Sequence, residues 1–302
     1  MSEAVSPAAR PEPPQLAALP LVPAARRVCV CVDDFGMHPG IDGAALRLAD
    51  MHRVHAISCL VGGKSWSVSS RLLRGFEPGS ADIGLHLDFT EAPLLGASRR
   101  SLFELIIASH LRRLDRRHIR TEIRAQLDAF EQALGRRPAF IDGHQHVHQL
   151  PTVRSELLAE LQTRRGDAPP WIRSTRAPRT WRAAARASPG RFKPRVIEAL
   201  GARGLAAAAS ALGYPQNQHL LGVYDFQGGR SRYRELLAGW LRSATDGDLL
   251  MCHPSLFTRD ADPLIEARQA EFDVLSSAGF DTDLRAAGVQ FEPMSQMLKR
   301  RR

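Results

Sequence analysis

The chain has 302 residues, of which 44% are hydrophobic and 24% charged, so it can bury one large core or two modest ones. It has no apolar run of about eighteen residues, and its N-terminus lacks the pattern of a Sec signal peptide, so we expect neither a transmembrane helix nor a leader. The net charge is +9, but the arginines are spread over helix faces without interleaved aromatic residues, so no nucleic-acid partner is expected.

The four cysteines indicate the redox compartment. Cys29, Cys31, Cys59 and Cys252 each lie in an apolar segment, and none forms a CxxC pair. Cys29 and Cys31 share one predicted strand and are too close for an easy disulfide with each other. Buried free thiols are typical of a reducing compartment, so we expect a cytoplasmic protein.

Strand-like and helix-like segments alternate along most of the chain. Residues 1–25 are rich in proline and alanine and are expected to be disordered. Short β-type runs predict strands at 28–32, 56–61, 83–89, 139–144, 171–175, 219–225, 248–252 and 289–291. Apolar residues at helical spacing predict helices at 41–51, 67–75, 101–114, 119–134, 151–163, 195–212, 231–244 and 263–278.

This alternation predicts an α/β fold of seven or eight β/α units, with a parallel sheet closed or nearly closed into a barrel. A doubly wound open sheet is the alternative, although no GxGxxG follows the first strand. We expect a single domain over residues 26–297. Residues 176–195 are basic and proline-bearing and would form an insertion or lid, and residues 298–302 would form a basic tail.

The most unusual stretch places polar groups at alternate positions, Asp142, His144, His146 and His148. On a strand such residues point to one face, so the four side chains could project together. A metal with the groups that work beside it would explain the pattern. A loop with solvated histidine rings is the alternative.

Other polar residues stand on predicted strands or at their ends. Active sites of parallel β/α folds lie at the carboxyl ends of the strands, so residues distant in sequence should meet at one rim. The residues concerned are Asp33, Asp34, His86, His144, Arg173 and His253.

A carboxylate and two imidazoles can hold one divalent cation and leave positions open for water and substrate. Asp34, His86 and His144 are the natural set. Asp33 would lie close to the water and could act as general base or orient one. His253 could protonate a leaving amine, and together these groups describe hydrolysis of an amide.

Each residue also has a structural interpretation. A pair of aspartates after a strand can belong to a helix N-cap, and a histidine in an apolar strand can be a hydrogen-bonded core residue. Arg173 could pair a carboxylate, or it could hold a substrate hydroxyl or carboxylate. Phe35 could form an apolar wall of the site or belong to the core.

Four segments together resemble the YdjC-like carbohydrate deacetylases, which include the ChbG-type and HpnK-type proteins. The segments are Val32–Gly36, Gly84–His86, Asp142–His148 and Cys252–Pro254, and the resemblance covers about residues 27 to 295. It implies a barrel related to the polysaccharide deacetylases, one divalent metal (Mg²⁺ or Zn²⁺), and removal of acetyl from an N-acetylated sugar. It also implies a homodimer.

By position, the resemblance makes Asp34, His86 and His144 the metal ligands, Asp33 the base and His253 the acid. Neighbouring residues are expected to orient the metal ligands or contact the substrate. These residues are Asp142, His146, His148, Arg173 and Phe35. The sequence departs from the family pattern at Met37–Asp42, at Ala56–Cys59 and at Ser255, so the substrate is not transferred from any one member.

Two further functions use the same residues or charge. A non-haem iron oxygenase employs a carboxylate and two histidines, but it usually occupies a double-stranded β-helix, which the β/α alternation disfavours. A non-catalytic basic module that binds sugar or nucleic acid is the other alternative.

Overall fold

The first strand, β1 (Arg26–Phe35), lies at the centre of a parallel sheet. It pairs with β2 (Ala56–Cys59) on one side and β7 (Asp248–Cys252) on the other, and its first residues also pair with β8 (Val289–Phe291). Residues 28–32 of β1 are wholly buried, because helices or other strands cover both faces. The continuous apolar run in the sequence therefore reflects a strand buried on both sides.

The computed structural model describes residues 25–77, 79–164, 166, 168–178, 193–257 and 262–301. The segment expected to be disordered, 1–25, lies outside this part except for its last residue. Most of the expected insertion, 176–195, also lies outside it. No helix among the described residues combines the length and the apolar character needed to span a bilayer.

The remaining strands extend the sheet in both directions. They are β3 (Asp82–Leu87), β4 (Phe140–Gly143), β5 (Trp171–Ile172) and β6 (Leu220–Leu221). Along the sheet the strand order is β5-β4-β3-β2-β1-β7-β6, and every described pairing is parallel. The predicted parallel α/β sheet of seven or eight strands is confirmed.

The two edges of the sheet approach each other without forming a full ladder. A single parallel bridge joins Ile172 to Gln216, just before β6. Next to it, the side-chain amide of Asn217 accepts from the backbone N–H of Ser174 at 2.7 Å and donates to its carbonyl at 3.0 Å. The sheet therefore curls into a nearly closed barrel, and one side-chain amide adds to the few backbone hydrogen bonds at the seam.

Helices connect the strands and cover the outside of the sheet. Arg116–Leu134 shows why they form: Asp115 caps its first backbone N–H groups, and Gly135 ends it in the left-handed conformation. Within the described part of the chain, the other α-helices are Pro39–Asp50, Trp66–Leu73, Leu102–His110, Pro151–Thr163, Lys193–Ile197, Arg203–Ala211, Gly229–Ser243, Ile265–Leu275, Phe280–Ala287 and Met294–Arg300.

The helices of the structure differ from the predicted ones in two respects. The helix predicted at 195–212 is interrupted by a π-helical turn, Glu198–Ala202, in which Gly201 has a φ of 152°. A Cβ at Gly201 would lie 2.2 Å from the carbonyl oxygen of Gln149, so this turn needs a glycine to pack closely against the segment His144–Gln149. Two helices, Phe280–Ala287 and Met294–Arg300, were not predicted, and the second includes part of the segment expected as a basic tail.

Candidate metal centre and active site

A break in the regular strand geometry brings two carboxylates to the same rim. The pairing of β1 with β2 shifts between Val32 and Phe35, and Asp34 has a left-handed φ of 68°. Consecutive strand residues normally face opposite sides of a sheet. With this irregularity, Asp33 and Asp34 both line one cavity at the carboxyl end of the strands.

Asp34, His86 and His144 converge, as predicted. Oδ1 of Asp34 lies 3.0 Å from Nδ1 of His144 and 3.4 Å from Nε2 of His86. The two imidazole rings meet edge to face with centroids 5.5 Å apart. One ligand atom from each of the three residues lies within 4.8 Å of the other two, which is close enough to share a cation.

The histidine stretch does not continue the strand, so the expectation of four side chains on one strand face was wrong. Strand β4 ends at Gly143, and His144–Gln149 forms a tight turn in which Gln145 and His146 have φ values of 52° and 62°. His144 enters the metal centre and His146 lines the cavity. His148 is buried elsewhere, with Nε2 3.0 Å from the carbonyl oxygen of Arg173.

Asp142 orients His86. The β3–β4 register places the two residues side by side, and Oδ1 of Asp142 lies 2.7 Å from Nδ1 of His86. The hydroxyl of Ser58 donates to the same carboxylate at 2.5 Å. With a proton on Nδ1, the lone pair of Nε2 points at Asp34, as a metal-binding histidine requires. Without a cation, burial lowers the pKa of His86, but Asp142 more than offsets this and raises it to about 10, so a bound cation would take the place of the Nε2 proton.

Arg173 is completely buried and pairs with two acids. Its Nη1 and Nη2 donate to Oδ2 and Oδ1 of Asp33, each at 2.6 Å, and Nη2 lies 2.5 Å from Oδ2 of Asp142. Burial raises the pKa of Asp33, but Arg173 more than offsets this and holds it well below its usual range. Of the two roles considered for Arg173, the geometry supports pairing with carboxylates. The guanidinium also occupies a second acidic group formed by Cys31, Asp33 and Asp142.

His253 reaches the rim from the opposite side. Strand β7 ends at Cys252, which pairs with Val32, so the next residue lies beside Asp33. Nε2 of His253 lies 3.9 Å from Oδ2 of Asp33, and the ring meets the Phe226 ring edge to face at 5.3 Å. Burial lowers the pKa of His253 to about 4, so the imidazole is neutral at neutral pH.

Two buried residues of the helix Ile265–Leu275 were missed. Nη2 of Arg268 donates to Oδ2 of Asp34 at 2.8 Å, and Glu271 accepts from the backbone N–H of His253 at 2.5 Å. Burial raises the pKa of Asp34, but Arg268 and His144 hold it well below its usual range. The sequence did contain a signal for these two residues: Arg268 and Glu271 lie beside the buried apolar residues Ala267 and Ala270 of the same helix.

The cavity beside these groups has a volume of about 810 Å³. Phe35 is fully buried and belongs to the hydrophobic core, so it does not form an apolar wall of the site. The cavity's polar wall contains Asp33, Asp34, His86, His144, His146 and His253, and its apolar wall includes Leu102, Ile106, Val196, Leu200 and Phe226.

The residues present fit a divalent cation. The two histidines and the aspartate each offer one ligand atom within 4.8 Å of the others, and Asp142 fixes one of the rings. Arg268 holds the other oxygen of Asp34, which leaves Oδ1 for the centre. Two imidazoles and one carboxylate are a common ligand set for a catalytic metal with open positions.

The model of the YdjC-like protein family matches residues 27–286. The chain belongs to the YdjC-like family. This confirms the resemblance, because the match covers most of the chain. In a fold comparison, a crystal structure from Enterococcus faecalis described as a cellobiose-phosphate cleavage protein has a TM-score of 0.64 and 18% identity, and the alignment covers 91% of this chain and 99% of that one. At this identity the likeness shows the fold alone.

Two relatives carry names that describe an activity. A human carbohydrate deacetylase is 32% identical over 149 residues, which cover 45% of each protein. A chitooligosaccharide deacetylase of Escherichia fergusonii is 29% identical over 136 residues, which cover 42% of this chain and 52% of the relative. This YdjC-like chain thus spans about half the length of the curated relatives that it matches.

Proposed function

We propose that the chain is a metal-dependent hydrolase that removes the acetyl group from an N-acetylated amino sugar, either free or attached to a carrier. The observation that carries the proposal is the convergence of Asp34, His86 and His144 at a cavity that also contains Asp33 and His253. Membership of the YdjC-like family and the names of the two relatives support acetyl removal from a carbohydrate.

Asp34, His86 and His144 would hold the cation, and this ligand set favours zinc or another transition ion over magnesium. When bound, such a cation supplies Lewis acidity, which polarises an acetyl carbonyl and makes water a nucleophile at neutral pH. The chain's own residues then have to orient the water and move its proton.

Asp33 and His253 are suited to that proton transfer. The pKa of Asp33 lies well below its usual range because of Arg173, and that of His253 is lowered to about 4 by burial, so both start unprotonated at neutral pH. Asp33 accepts a proton from water as the water oxygen bonds to the acetyl carbon. Asp33 transfers this proton to Nε2 of His253, which lies 3.9 Å from its Oδ2, and His253 passes it to the amine as the carbon–nitrogen bond breaks. The second proton of the water is released from the acetic acid to the amine or to solvent, so the products are acetate and the amino sugar.

The test is acetate release from a panel of N-acetyl sugars by protein that has been stripped with EDTA and reloaded with zinc or magnesium. We expect His144→Ala to lower activity by at least about 100-fold, with its circular dichroism spectrum unchanged. His110→Ala, an exposed histidine at a helix end, is the matched control.

Full activity of H144A, or of metal-free protein, would refute the proposal. A strict requirement for Fe²⁺ and oxygen would instead indicate the oxygenase that uses the same three ligands. Binding of polyanions with a steep salt dependence and no turnover would indicate the non-catalytic basic module.

A further inference from the structure

Two buried charged side chains of the helix Ile265–Leu275 contact residues of the candidate active site. Arg268 is 3% exposed and Glu271 is 1% exposed, and they lie three residues apart on one face of the helix. Neither residue takes part in the proton transfers proposed above. Burying two charges costs free energy, so their partners indicate what they do.

Glu271 holds the main chain of His253. One carboxylate oxygen accepts from the backbone N–H of His253 at 2.5 Å, and the other accepts from the hydroxyl of Tyr224 at 2.7 Å. Both oxygens are therefore engaged, and the carboxylate reaches His253 through its main chain. His253, the residue that follows β7, is thereby attached to a helix on the outside of the sheet.

Arg268 holds the other side of the same peptide segment. Its Nη1 donates to the carbonyl oxygen of His253 at 3.3 Å, and its Nη2 donates to Oδ2 of Asp34 at 2.8 Å. Nε donates to Asp262 at 2.8 Å, which fixes the plane of the guanidinium. A single side chain therefore joins a candidate metal ligand to the candidate acid.

The His253 ring itself has few orienting contacts. Its Nδ1 is buried and has no hydrogen-bond partner among the described residues, whereas Nδ1 of His86 is fixed by Asp142. The direction of the His253 ring therefore depends on its backbone, on the contact of Nε2 with Asp33 at 3.9 Å and on packing against Phe226. Glu271 binds the N–H of that backbone and Arg268 binds its carbonyl oxygen.

We infer that Glu271 and Arg268 are positioning residues, which set the place of His253 relative to Asp34 and hence to the scissile amide. The inference rests on the proposed function, because His253 must deliver a proton to a group held at the metal centre. A displacement of about 1 Å at a proton donor can cost up to about 100-fold in rate.

Removal of the Glu271 carboxylate should reduce turnover without weakening the binding of substrate or metal. In Glu271→Leu the backbone N–H of His253 loses its partner, and we expect kcat to fall about 10-fold to 100-fold with KM and bound metal unchanged. In Glu271→Gln the amide oxygen can accept from His253 while the amide nitrogen donates to Tyr224, so we expect at least about a third of the normal kcat. Glu266→Leu, an exposed acid on the same helix, is the matched control.

Arg268→Met removes the contact to Asp34 as well. We therefore expect zinc to bind about 10-fold more weakly by titration calorimetry, because a ligand that loses its outer partner is held less well. This readout needs no turnover and separates Arg268 from Glu271, since E271L should bind zinc normally.

The deciding experiment measures kcat, KM and zinc affinity for the five proteins, together with NMR signals of the His253 ring. The inference is supported if the ring signals shift in E271L but not in E271Q or E266L. It is overturned if E271L keeps the normal ring signals and R268M keeps the normal zinc affinity, even if both melt at lower temperature. Absence of acetate release by the unmodified protein would refute the proposed function instead, and these two readouts would still test the inference.

Discussion

Arg173 offers a direct test of how the acidic side of the site is held together. Its side chain is completely buried, and it contacts Asp33 at 2.6 Å through both terminal nitrogens and Asp142 at 2.5 Å. Arg173→Met keeps a long unbranched chain but leaves two carboxylates buried without their cation. Removing one partner of a buried ion pair costs about 3–5 kcal/mol, so we expect a loss of that size in the free energy of unfolding at neutral pH.

The assay is urea unfolding of metal-free protein at neutral pH, followed by circular dichroism. In a chain of this size each kcal/mol corresponds to about 2–4 °C, so the melting temperature should fall by roughly 10 °C. Arg113→Met, an exposed arginine, is the control and should stay within about 0.5 kcal/mol of the unmodified protein. Equal stability of R173M and R113M would refute the interpretation that Arg173 neutralises the two acids.

Two further predictions concern stability. Burial raises the pKa of Glu271 from 4.5 to about 7, so its contribution to stability is fully present below pH 4.5 and is lost as the pH rises through about 7. Glu271→Gln should remove this dependence and gain about 3 kcal/mol relative to the unmodified protein across that window, and a constant difference in urea unfolding would contradict it. Gly201→Ala should cost more than about 1 kcal/mol, because its Cβ would meet a carbonyl oxygen at 2.2 Å. Gly239→Ala, in open space within a helix, should instead stabilise by about 0.5–1 kcal/mol, and similar melting temperatures for both would contradict the packing argument.

The local sequence pattern was sufficient to predict a strand where the strand has the same surroundings on both faces. The run at 28–32 is apolar on both sides because the strand is buried on both sides, and 248–252 and 289–291 were predicted with the bounds that the structure has. The interpretation failed at the histidine stretch. Alternation suggested a strand, but left-handed φ values at Gln145 and His146 turn the chain immediately after Gly143.

Sequence alone determined the parallel β/α architecture and the three residues of the candidate metal centre. It could do so because parallel strands present their carboxyl ends at one rim, so Asp34, His86 and His144 had to approach each other. Tertiary structure decided which partner each carboxylate takes. Arg268 reaches Asp34 across 234 residues of sequence, and Arg173 reaches Asp33 across 140. Such pairings depend on how helices pack against the finished sheet, and no local periodicity encodes that packing.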